Sequence, residues 1–290
     1  MFTIQFARSQ DGLKMKGFAI LASLGCFIAS GGVAYAGPVV SGFTNGGTVT
    51  ICDDCYTTAT PLGFTANFFG TNYNQTYVSN NGYVTFNSGQ GTYTPTGLTA
   101  SYAGQPIIAP FFADVDTRGA GTVTYGTGTY AGQNAFGVTW NGVGYYSYGT
   151  DKLNTFQMIL VDESSIGAGD FNIYFNYNQI QWESGSASGG TNGLGGISAA
   201  VGYSNGTGSS GTYGQLTGSL VNGALIDGGP NSLVANSNDG VTGQYLFMVR
   251  NGQVAPPQPS NSNVPEPGSL ALLGIGIAGL ATARNRKLTA

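Results

Sequence analysis

Between its two ends the chain never settles into a helical period. Short runs rich in Thr, Val, Tyr and Phe follow one another at brief intervals, and Gly, Asn and Ser break each run before it can extend. A chain punctuated in this way makes many strands joined by tight turns. The expected strands are the runs at 76–79, 83–86, 107–112, 122–125, 135–140, 156–161, 171–177, 197–203 and 244–249. The clearest hairpin is Tyr77-Val78-Ser79-Asn80-Asn81-Gly82-Tyr83-Val84, because Asn81-Gly82 offers the positive backbone angles of a primed turn. Apolar and more polar residues alternate in Phe171-Asn172-Ile173-Tyr174-Phe175-Asn176-Tyr177. The expected fold is therefore all-β, an antiparallel β-sandwich-like domain in which each sheet has one buried and one solvated face. Only 8% of residues are charged, but the 12% that are aromatic can fill such a core, so the chain is not a disordered one.

The two ends read differently. Lys14 and Lys16 precede an apolar run at 18–28, and Ala34-Tyr35-Ala36 follows, which is the layout of a secretory signal peptide over residues 1–36 with cleavage between Ala36 and Gly37. The stretch before Lys14 is polar for a signal start, and Met15-Lys16-Gly17 supplies a more usual opening as an alternative initiation point. At the other end, residues 255–263 form a Pro/Ser/Asn tether that cannot pack. Then come Val264-Pro265-Glu266-Pro267-Gly268-Ser269, an apolar stretch at 270–283, and the basic tail of Arg284, Arg286 and Lys287. Fourteen apolar residues make a single hydrophobic helix of about 21 Å, short of a ~30 Å hydrocarbon core, which suits a transient membrane stop with the basic tail on the cytoplasmic side.

The order of tripeptide, apolar helix and basic cluster over residues 264–290 resembles the PEP-CTERM sorting signal. The resemblance implies recognition of Pro265, Glu266 and Pro267 by an exosortase-type membrane protease and removal of the tail. It also implies export across the inner membrane of a Gram-negative envelope, with delivery to the cell surface, the outer membrane or an extracellular exopolysaccharide or biofilm matrix.

A second resemblance lies between the ends. The segments IIAPFFADVDTR, AFGVTWNGVGYY, LNTFQMILVD, GDFNIYFNYNQIQWESG and GGISAAVGYSNG, in that order over about residues 106–206, are similar to the NIDO (nidogen-like) extracellular domain. ALIDGGPNSL and QYLFMVRNG look like its continuation, so the domain is expected to span 37–254. The resemblance implies an association with cell–matrix adhesion, and it identifies no ligand.

Residue chemistry narrows the function further. From Gly37 to Asn263 there are three basic residues, Arg118, Lys152 and Arg250, against eleven acids, a net charge of −8 that repels phosphate backbones and argues against nucleic acid as a partner. Histidine is absent, which removes the commonest general base and every Ser-His or Cys-His nucleophile. Cys52-Asp53-Asp54-Cys55 is a C-x-x-C in an oxidising compartment, expected as a local disulfide. A redox centre would need positive charge or a helix N-terminus beside the thiolate, and here two aspartates stand instead.

Asp114-Val115-Asp116-Thr117-Arg118 follows an apolar run, and strand alternation places both carboxylates on one side. Asp114 and Asp116 could ligate calcium, with Thr117 or backbone carbonyls completing an oxygen shell. The competing and preferred reading gives these acids to Arg118 and a backbone turn. Tyr145, Tyr146 and Tyr148, in a Gly-rich stretch, are the candidates for an exposed sugar-stacking surface; Trp182 reads as core. Glu183, Asp162 and Glu163 read as solvated strand-end charges.

The sequence thus describes a non-catalytic extracellular adhesion or matrix protein with no required cofactor, whose partners are the processing protease and extracellular polysaccharide or matrix. Two rivals remain: a carbohydrate-active enzyme using the Asp114/Asp116 pair, which needs its carboxylates about 5–10 Å apart across a cleft, and a structural matrix protein without a ligand. Mass spectrometry of the mature protein from native cells should find termini near Gly37 and near Pro265–Pro267. Peptides from 270–283 in the dominant steady-state form would contradict the processing.

Overall fold

The computed structural model describes residues 38–255. The signal segment with Ala36 and Gly37, the Pro265-Glu266-Pro267 motif and the apolar stretch at 270–283 lie outside the described residues, as does the tether beyond Ala255.

Fourteen strands follow in chain order: β1 (Gly47–Thr48), β2 (Thr60–Phe68), β3 (Thr71–Ser79), β4 (Tyr83–Thr85), β5 (Ile107–Phe112), β6 (Val115–Asp116), β7 (Thr122–Tyr130), β8 (Gln133–Tyr145), β9 (Asn154–Asp162), β10 (Phe171–Gln179), β11 (Ala200–Ser204), β12 (Tyr213–Gln215), β13 (Gln244–Arg250) and β14 (Gln253–Ala255). All ladders are antiparallel, and they build two sheets. One has the order β1-β7-β8-β9-β10-β13-β14, with β6 added to the end of β8; the other has the order β12-β11-β5-β4-β3-β2. Each sheet draws strands from both halves of the chain, so neither is complete until β11 to β14 return. Among the described residues the one helical element is a single 3-10 turn at Ser186–Ser188, and no helix is long and apolar enough to cross a membrane.

Every expected strand is present, several of them longer than their apolar runs. The run expected at 135–140 continues as β8 through Tyr145, because Gly142 allows a bulge between Trp140 and Val143 that redirects the strand without ending it. Conversely the strand expected at 197–203 begins at Ala200.

The inner faces of the two sheets meet in one core. Phe171, Ile173, Phe175 and Tyr177 of β10 are fully buried there, as alternation requires, with Phe68, Val84, Ile108 and Phe111 from the opposite sheet. Trp140 stacks on Phe156 with ring centroids 5.0 Å apart, and Phe111 meets Trp182 edge-on at 5.7 Å. Trp182 is core, as expected: Asn154 accepts from the backbone N–H groups of Gln181 and Trp182, and the indole donates to the Val143 carbonyl at 3.0 Å. Two polar side chains cross between the sheets. The Tyr177 hydroxyl donates to the Pro110 carbonyl at 2.6 Å, and the Trp140 indole donates to the Asn80 carbonyl at 2.9 Å. Pro110 lies inside β5, between β11 and β4, and the β11 pairing skips register at that point; proline is tolerated within a sheet at such an irregularity.

Three expectations are corrected. The outer faces are not simply solvated. Segment 39–43 lies across the outer face of the larger sheet, where the Gln157 amide exchanges hydrogen bonds with the Val40 backbone and Gln157, Asn176 and Gln244 form a buried amide ladder. Leu98 and Tyr102 cover the outer face of the smaller sheet over Tyr83, Ile107, Ala109 and Phe112. The β3–β4 turn is not a two-residue primed turn: Ser79 pairs with Tyr83, leaving a three-residue loop in which Gly82 alone takes positive φ, at 78°. Glu183 is not a solvated charge. It is fully buried, and each carboxylate oxygen accepts a backbone N–H, from Gly223 and from Leu225, at 2.6 Å. Those amides belong to an irregular segment that is also tied by backbone bonds, Asn231 to Ala224, Leu233 to Leu225 and Asp227 to Ile180, and the buried carboxylate adds two further anchors.

The turn correction yields a test. A Cβ at Gly82 would run into the Phe111 carbonyl, and the positive φ strains any L-residue. Gly82→Ala is expected to destabilise the domain by about 2–4 kcal/mol, a fall in melting temperature of roughly 4–16 °C by thermal denaturation.

Candidate functional site

Four of the chain's acids gather where the smaller sheet ends. After β5 the backbone bends at Asp114, forms the two-residue β6 against the redirected end of β8, and turns at Arg118. Residues 52–55 cross beside it. Cys52 and Cys55 form a disulfide with Cα atoms 6.0 Å apart, and this small loop is stapled to β6 by an antiparallel bridge between Asp53 and Asp116 and by Thr117, whose amide donates to the Cys52 carbonyl at 3.1 Å. On its other side the Asn80 amide donates to the Cys55 carbonyl at 3.0 Å. Four aspartates and one arginine therefore meet at one corner of the sandwich, brought together from positions more than fifty residues apart.

Their roles divide. Asp116 is fully buried and fully committed. Its Oδ1 accepts from the Arg118 backbone N–H and Nε, and its Oδ2 accepts from Arg118 Nη2 at 2.8 Å and from the Tyr148 N–H at 3.0 Å. Burial alone would raise its pKa, but these bonds from Arg118 and Tyr148 hold it below the ordinary Asp value. Asp114 is 1% exposed; its backbone carbonyl accepts from the Tyr146 N–H at 3.1 Å, but its carboxylate receives no hydrogen bond from the described residues, and its Oδ2 is buried without a partner. It lies with Asp53 and Asp54 instead, each of the three bringing a carboxylate oxygen within 4.8 Å of the others. Burial, then the charges of Asp53, Asp54 and Asp116, push Asp114 up to about 7. Burial and Asp54 raise Asp53 to about 6 despite Arg118. The two acids read as one pair in the sequence thus serve different ends: Arg118 takes Asp116, as the structural reading expects, while Asp114 is left to the acids of the disulfide loop.

The three tyrosines also separate. Tyr145 is 8% exposed and belongs to the core, with its hydroxyl on Asp151, because the bulge carries β8 one turn of the pleat further than the glycines suggest. Tyr146 is half-buried and lines a small cavity with Asp53, Asp54, Asp114, Tyr93 and Ala187. Only Tyr148 stands on the surface, 56% exposed, with the Arg118 guanidinium 4.5 Å from its ring centre. Asp162 and Glu163 are half-buried at a turn, where they accept from the Ser164 amide and the Asn172 side chain.

Two cavities among the described residues differ in size and chemistry. The acid-lined cavity has a volume of about 120 Å³, below the roughly 300–1,000 Å³ of usual ligand pockets. A larger groove, about 640 Å³, runs beside Phe43 and Leu62 and is lined by Ser, Thr, Asn, Gly and apolar residues without an ionisable side chain.

Comparison with known proteins gives the chain relatives in sequence. The family model described as NIDO related matches residues 29–234, and that of the PEP-CTERM protein-sorting motif matches residues 263–287. Alpha-tectorin of Homo sapiens is 30% identical over 230 residues, covering 70% of this chain and 10% of the relative. Alpha-tectorin of Gallus gallus is 29% identical over 215 residues, covering 65% and 9%, and Nidogen of Drosophila melanogaster is 29% identical over 206 residues, covering 63% and 14%. The chain thus spans about a tenth of the length of the curated relatives it matches. No solved structure matches it.

The raised carboxylates set a pH dependence. Between about pH 4 and pH 7 the folded chain keeps protons on Asp53 and Asp114 that the unfolded chain has released. Stability in the presence of chelator therefore falls as pH rises through that window and levels off above it. Asp116 has the opposite sign, stabilising above the ordinary value of 3.8 and losing that contribution as pH drops below it. Thermal denaturation in chelator should show a maximum near pH 4–5, and Asp114→Asn should flatten the decline towards pH 8.

Proposed function

Because the chain belongs to the NIDO-related family and carries a PEP-CTERM protein-sorting motif, it is an exported, sorted protein, and from that premise we propose that it works as a non-catalytic adhesion or matrix module. It is held at the cell surface or within the exopolysaccharide of a biofilm after an exosortase-type protease removes its tail. The observation that carries this reading is the pairing of the two matches in one chain: an extracellular-type domain followed by a sorting signal that retains it near the envelope. The Pro/Ser/Asn composition of residues 255–263 supports it, since such a sequence suits a spacer between a domain and its sorting signal.

Binding is favoured over catalysis by the chemistry of the described residues. Asp53, Asp54 and Asp114 face a cavity too small for a sugar chain, Asp116 is neutralised by Arg118, and the 640 Å³ groove has no ionisable side chain. Tyr148, exposed and backed by Arg118, offers the flat apolar face with a polar edge that a sugar ring stacks on.

Purified exopolysaccharide from the producing cells, mixed with the processed protein and sedimented, should carry the protein into the pellet without losing chain length. Tyr148→Ala should weaken that co-sedimentation several-fold. Protein that stays in the supernatant would favour the ligandless structural role, and shortening of the polysaccharide would establish an enzyme.

A further inference from the structure

Among the described residues only five buried side-chain atoms lack a hydrogen-bond partner, and Asp53 Oδ1 and Asp114 Oδ2 are two of them. Both belong to the cluster of Asp53, Asp54 and Asp114. Buried carboxylate oxygens without donors are costly, and native folds rarely keep them without a proton, a water or an ion.

We propose that Asp53, Asp54 and Asp114 form a binding site for a divalent cation, and that the cation is Ca²⁺. The spacing fits one coordination sphere. Ligands on opposite sides of a calcium ion at ~2.4 Å are separated by about 4.8 Å, and the three carboxylates each offer an oxygen within 4.8 Å of the other two. The oxygens are also sorted for the task. Arg118 Nη2 holds Asp53 Oδ2 at 3.1 Å and leaves Oδ1 free; Asn81 Nδ2 holds Asp54 Oδ1 at 2.8 Å and leaves Oδ2 free; Asp114 is free of donors altogether. One oxygen of each disulfide-loop acid is thus a fixed pivot and the other is available.

The frame around the site is rigid. The Cys52–Cys55 disulfide closes the loop that bears Asp53 and Asp54, and Asp54 sits at φ 61°, a left-handed conformation that aspartate tolerates, with its carboxylate held by Asn81. Asp114 reaches the cluster only because residue 185 is glycine, since a Cβ there would strike its carboxylate. The cavity of about 120 Å³ between these acids, Tyr93 and Tyr146 leaves room for an ion and for waters to complete six to eight ligands.

Charge and donor type select the ion. Four acids share one arginine, so three negative charges remain at this corner, and a divalent cation neutralises most of them. The ligands are all hard oxygens, with no imidazole in the chain and both cysteines of the loop oxidised, which disfavours zinc and copper. This assignment is independent of what the module adheres to. It also departs from the sequence expectation in its members: Asp114 stays, Asp116 leaves, and the two acids of the C-x-x-C enter.

The test uses the full chain freed of metal by chelator, at pH 7.5 and constant ionic strength. Calcium should bind with a Kd of about 0.1–1 mM, the usual range of extracellular modules, and 10 mM Ca²⁺ should raise the melting temperature by about 3–11 °C over chelator. Terbium should bind at the same place and luminesce on tyrosine excitation through Tyr93 and Tyr146, and calcium should displace it. Asp114→Asn and Asp54→Asn should each weaken binding at least tenfold without lowering the melting temperature in chelator, because each removes like-charge repulsion. Glu163→Gln, remote from the site, should change nothing. Asp54→Asn serves if the buried variant fails to fold. No calcium shift, a shift that survives in both Asp variants, or an equal response to Mg²⁺ would each overturn the assignment.

Discussion

Everything at the functional corner is arranged around one fully neutralised carboxylate. Asp116 is buried where a lone charge would be prohibitive, and it is tolerated because Arg118 meets it with three donors while the Tyr148 amide supplies a fourth. That convergence fixes the turn after β6, the approach of residues 146–149 and, through the remaining reach of Arg118 Nη2 to Asp53, the position of the disulfide loop. Arg118 cannot serve every acid nearby. Having answered Asp116, it leaves Asp53 half-satisfied and Asp114 without any donor, and the chemistry of the corner follows from this unequal sharing.

A second constraint acts on the whole sandwich. With 8% charged residues, the chain lacks the lysines and glutamates that ordinarily solvate the outside of a sheet. Its solution is to cover the outer faces with its own irregular segments. Residues 39–43 lie over an amide ladder on the larger sheet, and Leu98 and Tyr102 lie over aromatics on the smaller one. Buried Gln157, Asn176 and Gln244 are acceptable there because each amide finds partners in the next.

Much of the fold is legible in the sequence because strand content is a local property. Ile107–Phe112 was readable to the residue, and the alternation in β10 correctly identifies its core face. What was not legible depends on contacts that local pattern does not encode. Gln157 and Asn176 look like solvent residues until the N-terminal segment covers them. Tyr145 looks exposed because glycines surround it, but Gly142 there makes a bulge that keeps β8 paired. Glu183 looks solvated because its partners, the amides of Gly223 and Leu225, lie some forty residues downstream. The acidic site was half legible. Spacing two apart draws attention to Asp114 and Asp116, whereas the true companions of Asp114 are sixty residues upstream. The adjacent acids inside the C-x-x-C were the available signal, and a pair of aspartates locked in a four-residue disulfide loop is a costly arrangement that calls for a counter-charge.

The edge of the larger sheet has a mechanical meaning. β14 is the last described element before the tether, three residues paired to β13, while β13 itself is joined to β10 over six residue pairs. Any pull transmitted through the segment after Ala255 enters the domain at this edge. It meets the short ladder first and the long one only after the short one has opened. Detachment of β14 would lengthen the linkage by a few residues and absorb strain, giving up the contact of Val254 with the core, while the acidic corner at the end of β8 stays unloaded. The strand that finishes the sheet is in this sense its fuse.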